Sequence, residues 1–413
     1  MHLLLSILLC VPAFAEENGE KDEKVDVSDT VSGVTGRAPS LKIDDVNRIH
    51  GAALYDGAKS REYPDRIYDG AKWLGSTPEF VWTCWEVMNA LYKRDNKGIH
   101  AILDKARQKF PDSGIAPTGK ALLWQILMLE NFDFKYEKQY KFSFQTAKQQ
   151  LEMASMTPGN DAWEAFLLGA LLGVDGIHEM RKENWLTALG RGYDGIKQIE
   201  EAKRLAPDFI DARLGDGLWL YWRSLLAMNI PAIPDFADER VQGIEMMQLA
   251  ERESVFLRPA ASHALTYTWI EESKLQLAES TAVRLSKKYP NNIINLQVLG
   301  RVQTYRRKYP ASEKTLKKIL EVDPKNERAH YYLARMYLRW KKIELAQKHI
   351  DIYLDFELSK LHRGYALAIQ GKILSRLGQW SDAEKAYRAS YKLTKKDSAK
   401  ALANKAAEKA KAQ

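Results

Sequence analysis

From about residue 79 onward, apolar residues recur with the period of a helix, three or four apart. Six prolines, Pro111, Pro158, Pro207, Pro259, Pro290 and Pro324, fall between these periodic segments and not inside them. Strict alternation of apolar and polar residues, the mark of a half-buried strand, does not run for any useful length. The pattern therefore predicts an all-α chain. In the segment AFLLGALLGV at 165–174, the apolar run is too short to cross a bilayer and predicts a buried helix. Gly169 and Gly173, on one face of that helix, predict a site where a neighbour approaches closely. Further on, Leu214, Leu218, Tyr221 and Leu225 form one helical stripe, and Trp219, Trp222 and Leu226 a second. A helix apolar on two sides is touched on both, so core packing is favoured over an aromatic platform for sugar or peptide. The stretch NIPAIPDFADER at 229–240 is longer than a helix–helix turn requires, and suits either a binding loop or a packed surface loop.

The C-terminal half repeats itself. IINLQVLGRVQTYRRKYPASEKTLKKILEVDPKN spans 293–326, and Pro324 follows Pro290 by one period of about 34 residues. Taking units from Pro259, Ile293, Glu327 and Gly364, a small or compact residue recurs in each first helix: Thr266, Gly300, Ala334 and Gly371. A second set, Ala278, Ser312, Ala346 and Ala383, recurs in each second helix, and Ala282, Leu316, Ile350 and Tyr387 follow one turn later. Small residues let two helices cross closely, and the larger ones fill the space beside the crossing. The step from Glu327 to Gly364 is three residues too long, and the last two units lack the proline. These residues resemble the tetratricopeptide repeat family. That resemblance implies a right-handed α-solenoid of about eight antiparallel helical hairpins, each burying its apolar face on the next. Residues 79–258 read as a divergent helical-repeat half carrying the proline-bearing insert, 259–397 as regular repeats, and the lysine- and alanine-rich 398–413 as a polar capping helix. The 160–260 region is similar in pattern to exported bacterial repeat proteins of the cell envelope.

The first fifteen residues, MHLLLSILLCVPAFA, combine an apolar run with Ala13-Phe14-Ala15, which suits cleavage of a secretory signal. Export, with a periplasmic location, is expected; Leu9 before Cys10 argues against a lipid anchor. Residues 16–75 read as an acidic, disordered leader and linker, with YDGAK at both 55–59 and 68–72. Within it, 16–31 holds seven acids and two lysines, so a net charge of +8 for the chain becomes +13 without them. A basic body is drawn to acidic protein segments or anionic envelope polymers, and export argues against nucleic acid. Cleavage would leave Cys84 as the one cysteine, which cannot form an internal disulfide and reads as a small buried hydrophobe. No later segment reads as a transmembrane helix.

No catalytic motif stands out. The eight histidines are scattered, and no HExxH, paired cysteines, phosphate loop or G-x-S-x-G is present. The set His349, Asp351 and His362 has no recognised metal spacing. The chain is read as a non-enzyme that needs no cofactor. What the family resemblance implies is a groove lined by chosen positions of each first helix, where partner peptides lie. Carried onto this sequence, those positions are Gln297, Arg301 and Tyr305; Arg328, Tyr331, Arg335 and Arg339; and Tyr365, Lys372 and Arg376. Arginine pairs bidentately with carboxylate and stacks on aromatic rings. The expected function is a protein–protein interaction scaffold that holds an acidic segment of a partner in this basic-aromatic face. An acidic polysaccharide or lipid head group is the alternative ligand, a glycan-acting enzyme a more distant one, and the acidic leader 16–31 a possible intramolecular occupant.

Overall fold

The computed structural model describes residues 63–156, 161–182, 184–229 and 237–413. The expected signal segment, the acidic leader, the first YDGAK and residues 230–236 of the insert lie outside them. The described residues form eighteen helices and no strand, packed largely as sequence-adjacent pairs in the manner of a helical solenoid. They are α1 (Asp65–Trp73), α2 (Pro78–Lys93), α3 (Gly98–Lys109), α4 (Ile115–Asn131), α5 (Glu137–Ala154), α6 (Asp161–Arg181), α7 (Trp185–Leu205), α8 (Ala212–Asn229) and α9 (Arg240–Glu253). The rest are α10 (Arg258–Glu271), α11 (Leu275–Lys288), α12 (Ile293–Tyr305), α13 (Tyr309–Val322), α14 (Glu327–Arg339), α15 (Ile343–Leu354), α16 (Lys360–Arg376), α17 (Trp380–Thr394) and α18 (Asp397–Lys411). No helix among the described residues is long and apolar enough to cross a membrane. Two compact units emerge: 63–127 with 136–292, and 128–135 with 293–413.

In the first unit, glycines set the helix crossings. A Cβ on Gly169 of α6 would lie 2.9 Å from the Gly195 carbonyl of α7, and one on Gly217 of α8 would lie 2.7 Å from that of Gly243 on α9. Backbone cannot yield as a side-chain tip can, so only glycine permits these approaches. Tyr221 and Trp222 lie in the core, 0% and 1% exposed, while Trp219 is half-buried beneath the Arg223 guanidinium. Cys84 is buried beside stacked Trp82 and Trp85. The linker expected to run to residue 75 ends sooner: α1 forms within it and buries Ile67, Ala71 and the following Leu74. The second YDGAK is part of α1.

Two buried carboxylates in this unit, Asp211 and Glu272, are matched by donors. Asp211, 0% exposed, accepts from the backbone N–H groups of Val255, Phe256 and Leu257, fixing the start of α10. Burial nevertheless pushes its pKa up to about 6 against those three donors. Arg240 donates to Asp238 and Glu272, and the Tyr221 hydroxyl also donates to Glu272.

The second unit shows why the repeat has its small residues. Ser312 donates to the Gly300 carbonyl at 2.7 Å where α12 crosses α13, and a Cβ on Gly300 would meet Leu316 at 2.5 Å. On α16, a Cβ on Gly371 would meet the Tyr387 ring of α17 at 2.7 Å. Left-handed residues end the first helices at Ser273, Arg307, Lys341 and Gly378, with spacings of 34, 34 and 37 residues (307 − 273, 341 − 307, 378 − 341). The net three extra residues come mostly from α16, which has 17 residues where α14 has 13 and is about one turn longer, offset in part by α15, with 12 residues where α13 has 14. Helix α18 covers Ala383 and Tyr387 of α17 with Ala399, Ala403 and Ala406, burying the last apolar face.

Candidate functional site

Arg301 and Tyr305 stand four residues apart on α12, and Arg335 and Arg339 four apart on α14, so each pair shares a helix face. The two faces meet at a cleft in the second unit, lined by Arg301, Thr304, Tyr305, Tyr332, Arg335 and Arg339 over a floor of Leu316 and Met336. Its free volume is about 20 Å³, which holds about one water. Any ligand there would have to sit at its mouth or displace the half-buried Arg335 and Arg339 side chains.

The rings and guanidiniums order one another. The Arg301 guanidinium lies 5.6 Å from the Tyr332 ring centre, Arg335 lies 5.6 Å from Tyr331, and Arg339 lies 5.3 Å from Tyr305. Stacking of this kind holds an arginine without consuming the edge of its fork. Tyr305 is 7% exposed. Burial by itself would raise its phenol pKa, but the charges of Arg335, Arg301 and Arg339 and a hydrogen bond from Arg301 outweigh burial and bring it below the usual value. The cleft is thus electropositive enough to favour negative charge on an oxygen inside it.

Arg328 and Tyr331, expected to line the same face, are covered. Arg328 is 1% exposed, its guanidinium 4.8 Å from Phe132, 4.8 Å from Tyr331 and 5.0 Å from Tyr332. The cover is the segment 128–135, MLENFDFK. Gln297 Nε2 donates to the Glu130 carbonyl at 2.7 Å and Asn326 Nδ2 to the same oxygen at 3.1 Å; the Glu327 N–H donates to Asn131 Oδ1. Phe132 adopts φ 63°, uncommon for a bulky residue, where α4 ends. That cap turns its ring onto Arg328 and His362, the latter at 5.1 Å. Gln297, Arg328 and Tyr331 therefore serve an internal contact, and the reading of them as open partner contacts is corrected.

Of the remaining expected residues, Tyr365 is 8% exposed in the α14–α16 core with the Lys396 ammonium 4.7 Å from its ring. Lys372 is half-buried and Arg376 exposed on α16, and neither lines the cleft. The structure thus brings together Arg301, Tyr305, Arg335 and Arg339 from the expected set. Sequence reasoning missed Tyr332 and Thr304, which neighbour the chosen positions, and missed the covering segment. Its acidic and aromatic composition, complementary to the arginines, was the available signal. His349 faces His330 across 3.0 Å, and the His362 ring lies tilted against Phe132.

No protein-family model matches the chain, and no match to a curated protein is found.

Proposed function

We propose that the chain is an exported interaction scaffold of the cell envelope, a right-handed solenoid of tetratricopeptide type, whose cleft between α12 and α14 holds an acidic segment of a partner protein. The reading is carried by one observation: three guanidiniums and a buried phenol converge on a single cleft. Support for the repeat type comes from the left-handed caps at Ser273, Arg307 and Lys341, spaced 34 residues apart, and from the Gly300–Leu316 and Gly371–Tyr387 contacts. A carboxylate at the cleft mouth would accept charge-assisted hydrogen bonds from Arg335 and Arg339, each stronger than a neutral bond. The segment 128–135 supports a polypeptide as the ligand, since the neighbouring face already takes a stretch of chain through a backbone carbonyl and an aromatic ring.

The test is capture from an envelope extract on immobilised protein, wild type against Arg335→Gln/Arg339→Gln. These two side chains are half-buried, so they can be changed with less risk to the fold than Arg301, which is 7% exposed. A discrete protein retained by wild type and lost from the variant is expected. Loss of an anionic polysaccharide or lipid alone would replace the peptide reading with a polymer-binding one. Identical capture by both would reject the cleft.

A further inference from the structure

A second group of cations converges in the first unit, far along the sequence from that cleft. Arg258 opens α10 and Lys288 closes α11, and the reversal between these two helices brings both residues to the same end of the hairpin. Lys93 closes α2, whose Tyr92 ring lies 5.6 Å from that of Tyr289, next to Lys288. The Asn292 side chain donates to the Tyr92 carbonyl at 3.1 Å, which fixes the two helix ends against each other. Arg66 stands one turn before Gly70 on α1, and a Cβ on Gly70 would touch Val255 at 3.0 Å, three residues before Arg258. Four helices therefore bring positions that carry positive side chains to one region of this unit.

Each lysine alone is explained by the helix C-terminus it sits on, where a cation is favoured. Their convergence with two arginines is not. Arg258 donates to the carbonyls of Glu251 and Arg252. Arg66 and Lys93 make no hydrogen bond or ion pair among the described residues. Asp211, Glu251 and Glu253 offset part of the repulsion on Arg258, and Asp211 part of that on Arg66, but Asp211 is held by three backbone N–H groups and Glu251 by Ser262 and Arg284. Burial first, and then the charges of Arg258, Arg66 and Lys93, lower the pKa of Lys288; burial and then Arg66 lower that of Arg258. Like charges held together without an anion cost free energy that a bound anion would return.

We infer that Arg66, Lys93, Arg258 and Lys288 form a binding site for a multiply charged phosphate-type oxyanion. The Arg66 fork, the second terminal nitrogen of Arg258 and two ammonium groups suit an anion with several oxygens and more than one charge better than a single carboxylate. The same chemistry is offered by a soluble diphosphate and by the head group of an acidic phospholipid.

The experiment uses the full chain carrying Arg335→Gln/Arg339→Gln, so that the first cleft does not contribute, with and without Arg66→Gln/Lys288→Gln. Inorganic pyrophosphate is titrated by calorimetry, and flotation with vesicles of phosphatidic acid in phosphatidylcholine is run alongside. Saturable binding of at least one probe, weakened about tenfold or more by Arg66→Gln/Lys288→Gln, is expected. Which probe binds assigns the soluble or the lipid source. In the absence of anion, removing the two charges should leave the unfolding temperature unchanged or raised, because a repulsion is relieved. The inference is overturned if neither probe binds, if binding is indifferent to the two substitutions, or if the anion-free variant unfolds at lower temperature.

Discussion

Gly300 offers a sharp test of why the repeat carries a small residue at each helix crossing. An alanine methyl there would lie 2.5 Å from Leu316 Cδ2 and 2.7 Å from Cγ, where 3.4–4 Å is ordinary contact. Leu316 is 0% exposed and cannot swing into solvent. Gly300→Ala should therefore meet an overpacking cost of roughly 1–3 kcal/mol. Against it stands a gain of about 1 kcal/mol from replacing glycine inside a helix. The single variant alone could fall near zero, so the cycle with Leu316→Ala is the informative form. Leu316→Ala by itself should cost about 2–5 kcal/mol through lost burial and a cavity. In that background the obstructing atoms are gone, and Gly300→Ala should stabilise by about 1 kcal/mol, the propensity gain alone. The coupling between the two sites is then roughly 1–3 kcal/mol, equal to the overpacking cost. Urea unfolding of the four proteins measures it, provided the slope stays constant across the set. Effects that add to within about 0.5 kcal/mol would refute the close crossing.

Other substitutions probe the remaining elements. Replacing Arg328 by Met removes a cation held among three rings while keeping most of the volume, and should cost about 2 kcal/mol or more in urea unfolding; an unchanged midpoint would mean the rings gain nothing from the charge. Arg240→Met leaves the buried Glu272 without its cation and should cost about 3–5 kcal/mol, with much of that loss recovered in Arg240→Met/Glu272→Leu; a double variant no better than the single would remove the ion pair as the cause. Acid should destabilise the first unit. Burial, with the Arg181 charge added at His178, lowers the pKa of both His178 and His263 to about 4. Their contribution is complete above about pH 6.5 and is lost as pH falls through about 4, on the order of 3 kcal/mol each. Asp211, Asp175 and Glu164, raised by burial, act in the opposite sense, Asp211 with a contribution present below its ordinary range and lost as pH rises through about 6. At Glu137, burial is outweighed by hydrogen bonds with Lys182, Lys141 and His178, which bring the pKa to about 2, so it acts with the histidines. Urea midpoints should therefore fall between pH 7 and 4.5, less steeply in His178→Gln; a midpoint that rose on acidification would contradict this.

The helical architecture was legible because its signals are local. Helical period and proline position marked the elements, and Thr266, Gly300, Ala334 and Gly371 marked the crossings, since a close approach forbids a large side chain whatever else surrounds it. The two-sided stripe through Tyr221 and Trp222 likewise led to the core. The cleft was legible only in part. Arg301, Tyr305, Arg335 and Arg339 fall together because residues four apart on a helix share a face. Arg328 follows the same rule but is covered, because the contact that hides it comes from a segment about two hundred residues earlier. Helical periodicity carries no information about such a partner. Phe132, which makes that contact, depends on a left-handed backbone at a residue that gives no glycine signal. Helix α1 was missed for a related reason: its segment reads as polar, and only Ile67, Ala71 and Leu74 anchor it.

The proposal of an acid-binding cleft is tested most directly by fluorescence anisotropy with a labelled Glu- and Asp-rich peptide. The comparison is between wild type and Arg335→Gln/Arg339→Gln, at two salt concentrations. Saturable binding is predicted for wild type, weakening with salt and falling about tenfold or more in the variant while helicity is retained. Equal affinity of the two proteins at both salt concentrations would contradict it.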